Sequence, residues 1–87
     1  MKINPSIVVH KEVDGTSILY NSDTCQIMCL NTTGTVVWEC IKENGINYSA
    51  MCDSIQSQFE TVVPPEQLMD DLKRIVQQMY ENNLLIE

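Results

Sequence analysis

The stretch Gln26-Ile27-Met28-Cys29-Leu30-Asn31-Thr32-Thr33-Gly34-Thr35-Val36-Val37-Trp38 changes period part-way along, and that change decides the fold. Up to Leu30 the pattern is short and β-like, with Met28 and Leu30 facing one way and Ile27 and Cys29 the other. From Asn31 onward apolar residues recur at helical spacing. Val37, Trp38 and Ile41 form one stripe, with the only tryptophan of the chain at its middle. Asn31 is a favoured N-cap, because its side-chain carbonyl can take one of the orphan amides of the turn that follows. A strand that runs straight into a helix through Leu30-Asn31 joins a sheet to a helical layer. The binding surface is expected near that joint.

Working back from the joint, Ile7 to Val13 is rich in β-branched residues. It places Ile7, Val9 and Val13 on one face and Val8, His10 and Glu12 on the other. Asp14-Gly15 follows as a hairpin signal, both positions being expected to accept positive φ. Ser17 to Asn21 is the return strand, with Leu19 opposed to Ile18 and Tyr20, and Asn21-Ser22-Asp23-Thr24 is a second turn by composition. Gln26 to Leu30 completes a three-stranded meander, with this third strand expected at an edge.

Working forward, the first helix is expected from about Thr32 to Lys42, stopping at Asn44-Gly45, where glycine supplies a left-handed cap. Gly34 weakens its first turn by up to ~1 kcal/mol relative to alanine, which suggests either close approach of another backbone or a tolerated defect. Asn47 opens a second helix as N-cap, with Ile46 and Met51 placed as a hydrophobic staple. Its stripe is Tyr48, Met51, Cys52, Ile55 and Phe59. Val62-Val63-Pro64-Pro65 breaks the pattern, and Pro65 suits the first position of a third helix. Leu68, Leu72, Ile75, Val76 and Met79 then form the longest apolar stripe of the chain. Asn82-Asn83 ends that helix, and Leu84-Leu85-Ile86 is expected to pack back. Strands followed by helices make an α+β plan, not a βαβ one.

The chain has 87 residues. That length suits a single domain, 1–87, burying only about 60–65% of its unfolded surface, so the core is small. No apolar run approaches the ~18 residues of a membrane span, and Met1-Lys2-Ile3-Asn4-Pro5 is no secretion signal, so a cytosolic location is expected and no membrane partner. In that compartment Cys25, Cys29, Cys40 and Cys52 are expected as reduced thiols, mostly small buried hydrophobes. Cys25 and Cys29 cannot share a metal on a strand, where residues four apart lie ~13 Å from each other. His10 is remote from both in sequence. No metal and no cofactor is expected. The net charge of −7 repels phosphate backbones and argues against a nucleic-acid partner.

Catalysis needs a nucleophile with a base, paired carboxylates or a phosphate cradle. His10 on an alternating strand reads as a surface residue. Gly15, Gly34 and Gly45 are isolated, so no phosphate loop forms. Asp70 and Asp71, adjacent on a helix, diverge and read as a solvated face. Nothing in the sequence supports an enzyme.

Asp14-Gly15, then Leu30-Asn31 followed by Val37-Trp38, then Asn44-Gly45 and a closing Asn83-Leu84-Leu85 together resemble the PqqD-like family. These are small winged helix-turn-helix-like proteins that recognise the leader of a ribosomally made peptide before it is modified. The resemblance runs from roughly Pro5 to Ile86, and Leu30-Asn31 with Trp38 eight residues after Leu30 is its most telling part. Asn83 departs from the pattern, the family often having glycine there, but asparagine also enters the left-handed region.

The resemblance implies a non-catalytic protein that binds a leader by strand addition. The leader would pair with the open edge Gln26, Ile27, Met28, Cys29 and Leu30 and lie in a groove walled by Leu68, Leu72, Ile75, Val76 and Met79. For any single residue of that stripe plain core is the leading role, and a helix this apolar can serve both, burying one flank and offering the other. Asp71 is placed with the peptide-binding residues, and the adjacent bases Lys73 and Arg74 could catch acidic leader residues or simply keep the surface soluble. The partner enzyme implied is a radical-SAM protein or the leader peptidase or cyclase of a lasso-peptide pathway. The alternative class is a winged-helix DNA-binding regulator. Its third helix should be basic, whereas here Glu66, Asp70, Asp71 and Glu81 outnumber Lys73 and Arg74.

The compartment argument makes a direct prediction. Thiol titration of freshly prepared protein under denaturing, non-reducing conditions should find all four cysteines free, and a count of zero would refute the reducing location.

Overall fold

A computed structural model describes residues 1–59 and 64–87. In chain order its elements are β1 (Lys2–Ile3), β2 (Ile7–Lys11), β3 (Ser17–Asn21), β4 (Ile27–Leu30), α1 (Thr32–Asn44), α2 (Tyr48–Phe59), α3 (Pro65–Glu81) and β5 (Leu85–Ile86). The main sheet is antiparallel in the order β2-β3-β4, so β4 lies at an edge, as its sequence suggests. The plan is α+β, a three-stranded meander followed by three helices. Val62 and Val63, part of the expected break before α3, lie outside the described residues.

The Leu30-Asn31 joint forms as its chemistry requires. Asn31 has extended backbone (φ −71°, ψ −178°) and its side-chain oxygen accepts the Gly34 amide at 2.7 Å. Such a cap is worth about 1 kcal/mol. A Cβ on Gly34 would meet Asn31 Oδ1 at 3.2 Å and Leu30 Cβ at 3.4 Å. What approaches Gly34 is therefore the capping side chain and Leu30, not a second backbone. Behind the joint, Ser17 Oγ and Thr35 Oγ1 share a buried hydrogen bond of 2.8 Å that ties β3 to α1. Trp38, 3% exposed, sits with Val37 and Ile41 in the common core, to which Leu19, Met51, Leu72 and Leu85 also belong.

The first hairpin differs from its expected form. β2 stops at Lys11 and the turn has three residues, Val13, Asp14 and Gly15. The Glu12 amide donates to the Thr16 carbonyl (2.8 Å) and the Gly15 amide to the Glu12 carbonyl (3.2 Å). Only Gly15 takes positive φ (+92°). A tight turn closed by one left-handed glycine suits strand twist as well as a two-residue turn does. Asp14 contributes its side chain instead. It accepts from the Thr16 hydroxyl (2.6 Å) and amide (3.0 Å), and these bonds hold its carboxyl below the usual carboxylate range. Val13, expected on a strand face, stands fully in solvent.

The helix ends follow local rules. α1 runs to Asn44, and Gly45 (φ +70°) closes it with its amide on the Ile41 carbonyl. Asn47 caps α2 through the Ala50 amide at 3.1 Å. Pro65 stands at the start of α3. At the far end, the Asn83 amide donates to the Tyr80 carbonyl (3.1 Å) and the Leu84 amide to the Met79 carbonyl (2.9 Å), while Asn83 is left-handed at φ +63°. That pair of bonds is a Schellman motif with asparagine in the glycine position.

Two short strands were not expected. β1 pairs with β5 (Lys2↔Ile86, Ile3↔Leu85), a ribbon extended by the Asn4 amide on the Leu84 carbonyl at 3.0 Å. The C-terminal segment does pack back, burying Leu84 and Leu85, and it does so as a strand that holds the N-terminus.

With so small a core, the tryptophan is the side chain whose loss should be felt most. Trp38→Ala should cost on the order of 3–5 kcal/mol, most of the stability of such a domain. Urea denaturation followed by circular dichroism checks this, and an unchanged midpoint would show the core to be organised elsewhere.

Candidate functional site

The direction of each main-chain group on β4 follows from the register. β3 and β4 pair as Ser17↔Leu30, Ile18↔Cys29, Leu19↔Met28 and Tyr20↔Ile27. The Asn21 amide donates to the Gln26 carbonyl at 2.9 Å, so the next pair along this ladder is a hydrogen-bonded one. Bonded and non-bonded pairs alternate in antiparallel sheets. Gln26, Met28 and Leu30 therefore turn their main chain toward β3, and Ile27 and Cys29 turn theirs outward. The β2–β3 ladder gives the same parity, because the Glu12 amide bonds the Thr16 carbonyl and the Ser22 amide the Ser6 carbonyl. This leaves two donors and two acceptors along the free side of the sheet.

Side chains alternate as the sequence suggests. Leu30 is buried and Met28 half-buried on the inner face, whereas Ile27 (65% exposed) and Cys29 face solvent on the outer one. Gln26 precedes β4, its amide held by Thr24 Oγ1 at 3.3 Å, and Cys25 before it takes φ +62°.

Between the inner face of β4 and α3 lies a hollow of about 310 Å³, lined by Met28, Leu30, Asn31, Ile75, Met79 and Asn82 among others. A second hollow of about 400 Å³ continues from it, sharing Asn31 and Ile75, and is walled by Ile55, Phe59, Leu68 and Leu72 with Asp71 and Arg74 at its polar side. Together they make a trough of mixed apolar and polar lining running beside the free main chain of β4. A third hollow, of about 360 Å³, lies behind the β2–β3 turn, where Lys11 Nζ pairs with Glu39 Oε1 at 3.6 Å, and β4 takes no part in it.

The α3 stripe divides. Leu68, Leu72, Val76 and Met79 are all buried, so their main role is core, and Leu72 is wholly inaccessible. Leu68, Leu72 and Met79 also reach the trough, whereas Val76 and Lys73 line neither hollow. Ile75, half-buried, is the stripe residue that faces the trough along its length. Arg74 is within 3.7 Å of Asp71, an exposed pair worth little in stability. Gln78 and Asn82 were missed, as were Asn31, Gly34 and Leu84. The first two follow from Ile75 at helical spacing (i+3, i+7), but being polar they escape a search for apolar stripes.

The cysteines correct one expectation. All four are free, but Cys25 and Cys29 are exposed, so the buried-hydrophobe description holds only for Cys40 and partly for Cys52. Burial pushes the Cys52 thiol up in pKa. His10 is a surface residue, 3.9 Å from Glu12. Among the described residues no group of three His, Cys, Asp or Glu side chains is placed to hold a metal ion. No described helix is long and apolar enough to cross a membrane.

A family model described as Coenzyme PQQ synthesis protein D (PqqD) matches residues 16–85. The chain belongs to the PqqD family. No protein of curated function matches it in sequence. Among solved structures it is similar to one described as TbiB1 in complex with the TbiA(beta) leader peptide, at TM-score 0.82 and 24% identity, covering 98% of this chain and 94% of that one. It is also similar to lasso peptide synthetase B1 complexed with the leader peptide, at TM-score 0.82 and 17% identity, covering 99% and 96%. At these identities the likeness speaks to the PqqD fold.

The parity of β4 is open to direct test. Ile27→Pro or Cys29→Pro removes only an outward amide and should leave the fold largely intact. Met28→Pro removes a ladder donor facing Leu19 and should cost about 1–3 kcal/mol more. Urea midpoints ranked the other way round would reverse the assignment.

Proposed function

We propose that this PqqD-family chain is a non-catalytic recognition protein that binds the leader of a ribosomally synthesised precursor peptide and presents it to a separate enzyme. The observation that carries the reading is the free main chain of Ile27 and Cys29 running beside a trough whose wall includes Met28 and Ile75. An extended peptide joining β4 gains main-chain hydrogen bonds along one side. Its alternate side chains enter the trough between β4 and α3, where Met28 and Ile75 are accessible to them. The family match and the two leader-bound relatives support the same function.

β4 is the better edge of the two. β2, at the other side of the sheet, carries Lys11, the kind of charge that guards an edge against pairing. β4 is Ile-Met-Cys-Leu and carries none. In this reading Leu68, Leu72 and Met79 form the floor of the trough, Ile75 its accessible wall, and Arg74 with Asp71 its polar rim. The partner is a radical-SAM enzyme or a lasso-type leader peptidase or cyclase, working with this protein in the cytosol. Binding of DNA is disfavoured by the net charge of −7 and by the acidic balance of α3.

The test is titration with the synthetic leader of a short precursor peptide encoded beside this gene. Ile27→Pro should weaken binding at least about tenfold, the equivalent of one or two main-chain bonds. Ile75→Asp should weaken it comparably. Leu72→Asp is unsuitable, because a charge on a fully buried residue unfolds the domain. Duplex DNA at low salt should not bind. Native leader affinity in both folded variants, or a tight salt-sensitive DNA complex, would overturn the reading.

A further inference from the structure

The outer face of the sheet, turned away from the trough, has a feature that strand addition alone does not require. Val8, Tyr20 and Ile27 are successive cross-strand neighbours and form one row across all three strands. The row is apolar along its length yet open to solvent, at 59%, 38% and 65% exposure. The solvent face of an antiparallel sheet is ordinarily polar. At the β4 end the Tyr20 hydroxyl donates to Cys25 Sγ at 3.4 Å, a bond that raises the phenol's pKa and fixes the ring toward the edge.

The row ends at Ile27, whose main-chain groups point outward. A residue that exchanges both hydrogen bonds with Ile27 stands with its Cα about 5.5 Å away and its side chain on the same face. It therefore takes the fourth place in the row. We infer that Ile27, backed by Tyr20, is a second specificity subsite, which selects an apolar peptide residue on the outer face of the sheet. This rests on the leader-binding reading above and adds to it. The peptide residue opposite Met28 points into the trough and the one beside it in sequence points onto Ile27, so two adjacent apolar residues are required. An alternating amphipathic strand would satisfy the trough alone.

A random dodecapeptide display library selected on the immobilised protein tests this without knowledge of the natural leader. Selected peptides should carry adjacent apolar residues. Ile27→Thr keeps a β-branched, exposed side chain and should keep the fold, with an unchanged urea midpoint. It should weaken the selected peptides about two- to fivefold. The same peptides with serine at the outer position should lose nothing further on that substitution. A consensus of apolar residues at alternate positions only, or equal losses for both peptides, would overturn the outer subsite while leaving strand addition standing. Selected peptides that bind Ile27→Pro as well as the native protein, or a library that yields no binder, would overturn both.

Discussion

The Asn31 side chain on the Gly34 amide sets the geometry on which the rest of the molecule depends. It starts α1 one residue after β4 ends, so no loop intervenes between sheet and helical layer. Leu30 is buried on one side of that joint and Val37 and Trp38 on the other, which makes the change of period a change of layer. The chain leaves β4 directly into the helices, and the one later strand among the described residues, β5, pairs with β1 and leaves the β4 edge uncovered. α3 then packs with its Ile75 face alongside the edge without closing over it. The open edge and the trough thus have one cause, a capped helix that begins too soon for the sheet to grow.

An uncovered edge on a small domain is a hazard for association, and the composition works against it. With twelve acids and five bases, copies of the chain repel one another over the range of a Debye length, about 8 Å at physiological salt. The charges are not on β4 itself, where they would also repel a peptide. Many of the acids lie on the helices, as at Glu39, Glu43, Asp53 and Asp70.

Much of this was legible because it is local. Caps, a glycine at positive φ, alternation over five residues and an apolar stripe over about three turns each depend on residues near in sequence, and the boundaries of β3 and α3, and the C-terminal end of β4, follow from them. The β1–β5 ribbon escaped because two-residue strands carry no periodicity, and Lys2-Ile3 acquires meaning only from Leu85-Ile86. The hairpin turn was misjudged because Asp14-Gly15 fits two turn lengths, and the bonds of Glu12 with Thr16 and Gly15 decide between them. For the site, the inner and outer faces of β4 were readable from alternation, but the direction of its amides was not. That depends on which pairs of the ladder are bonded, information held by Asn21 and Gln26 together. Polar Gln78 and Asn82 escaped because burial, the property that marks a core, does not mark a rim.

The ribbon at the chain ends bears on how the trough is made and lost. Lys2 and Ile86 are neighbours across almost the entire chain, so closing that loop has the largest entropy cost of any pairing in the molecule. It returns two short strands together with the burial of Leu84 and Leu85. The ribbon should therefore be the last element to assemble in folding. Leu84, whose carbonyl accepts the Asn4 amide, also lines the trough beside Met79. Any opening of the chain ends thus loosens one wall of the trough, so ligand affinity and amide-exchange protection at the two termini are thermodynamically linked.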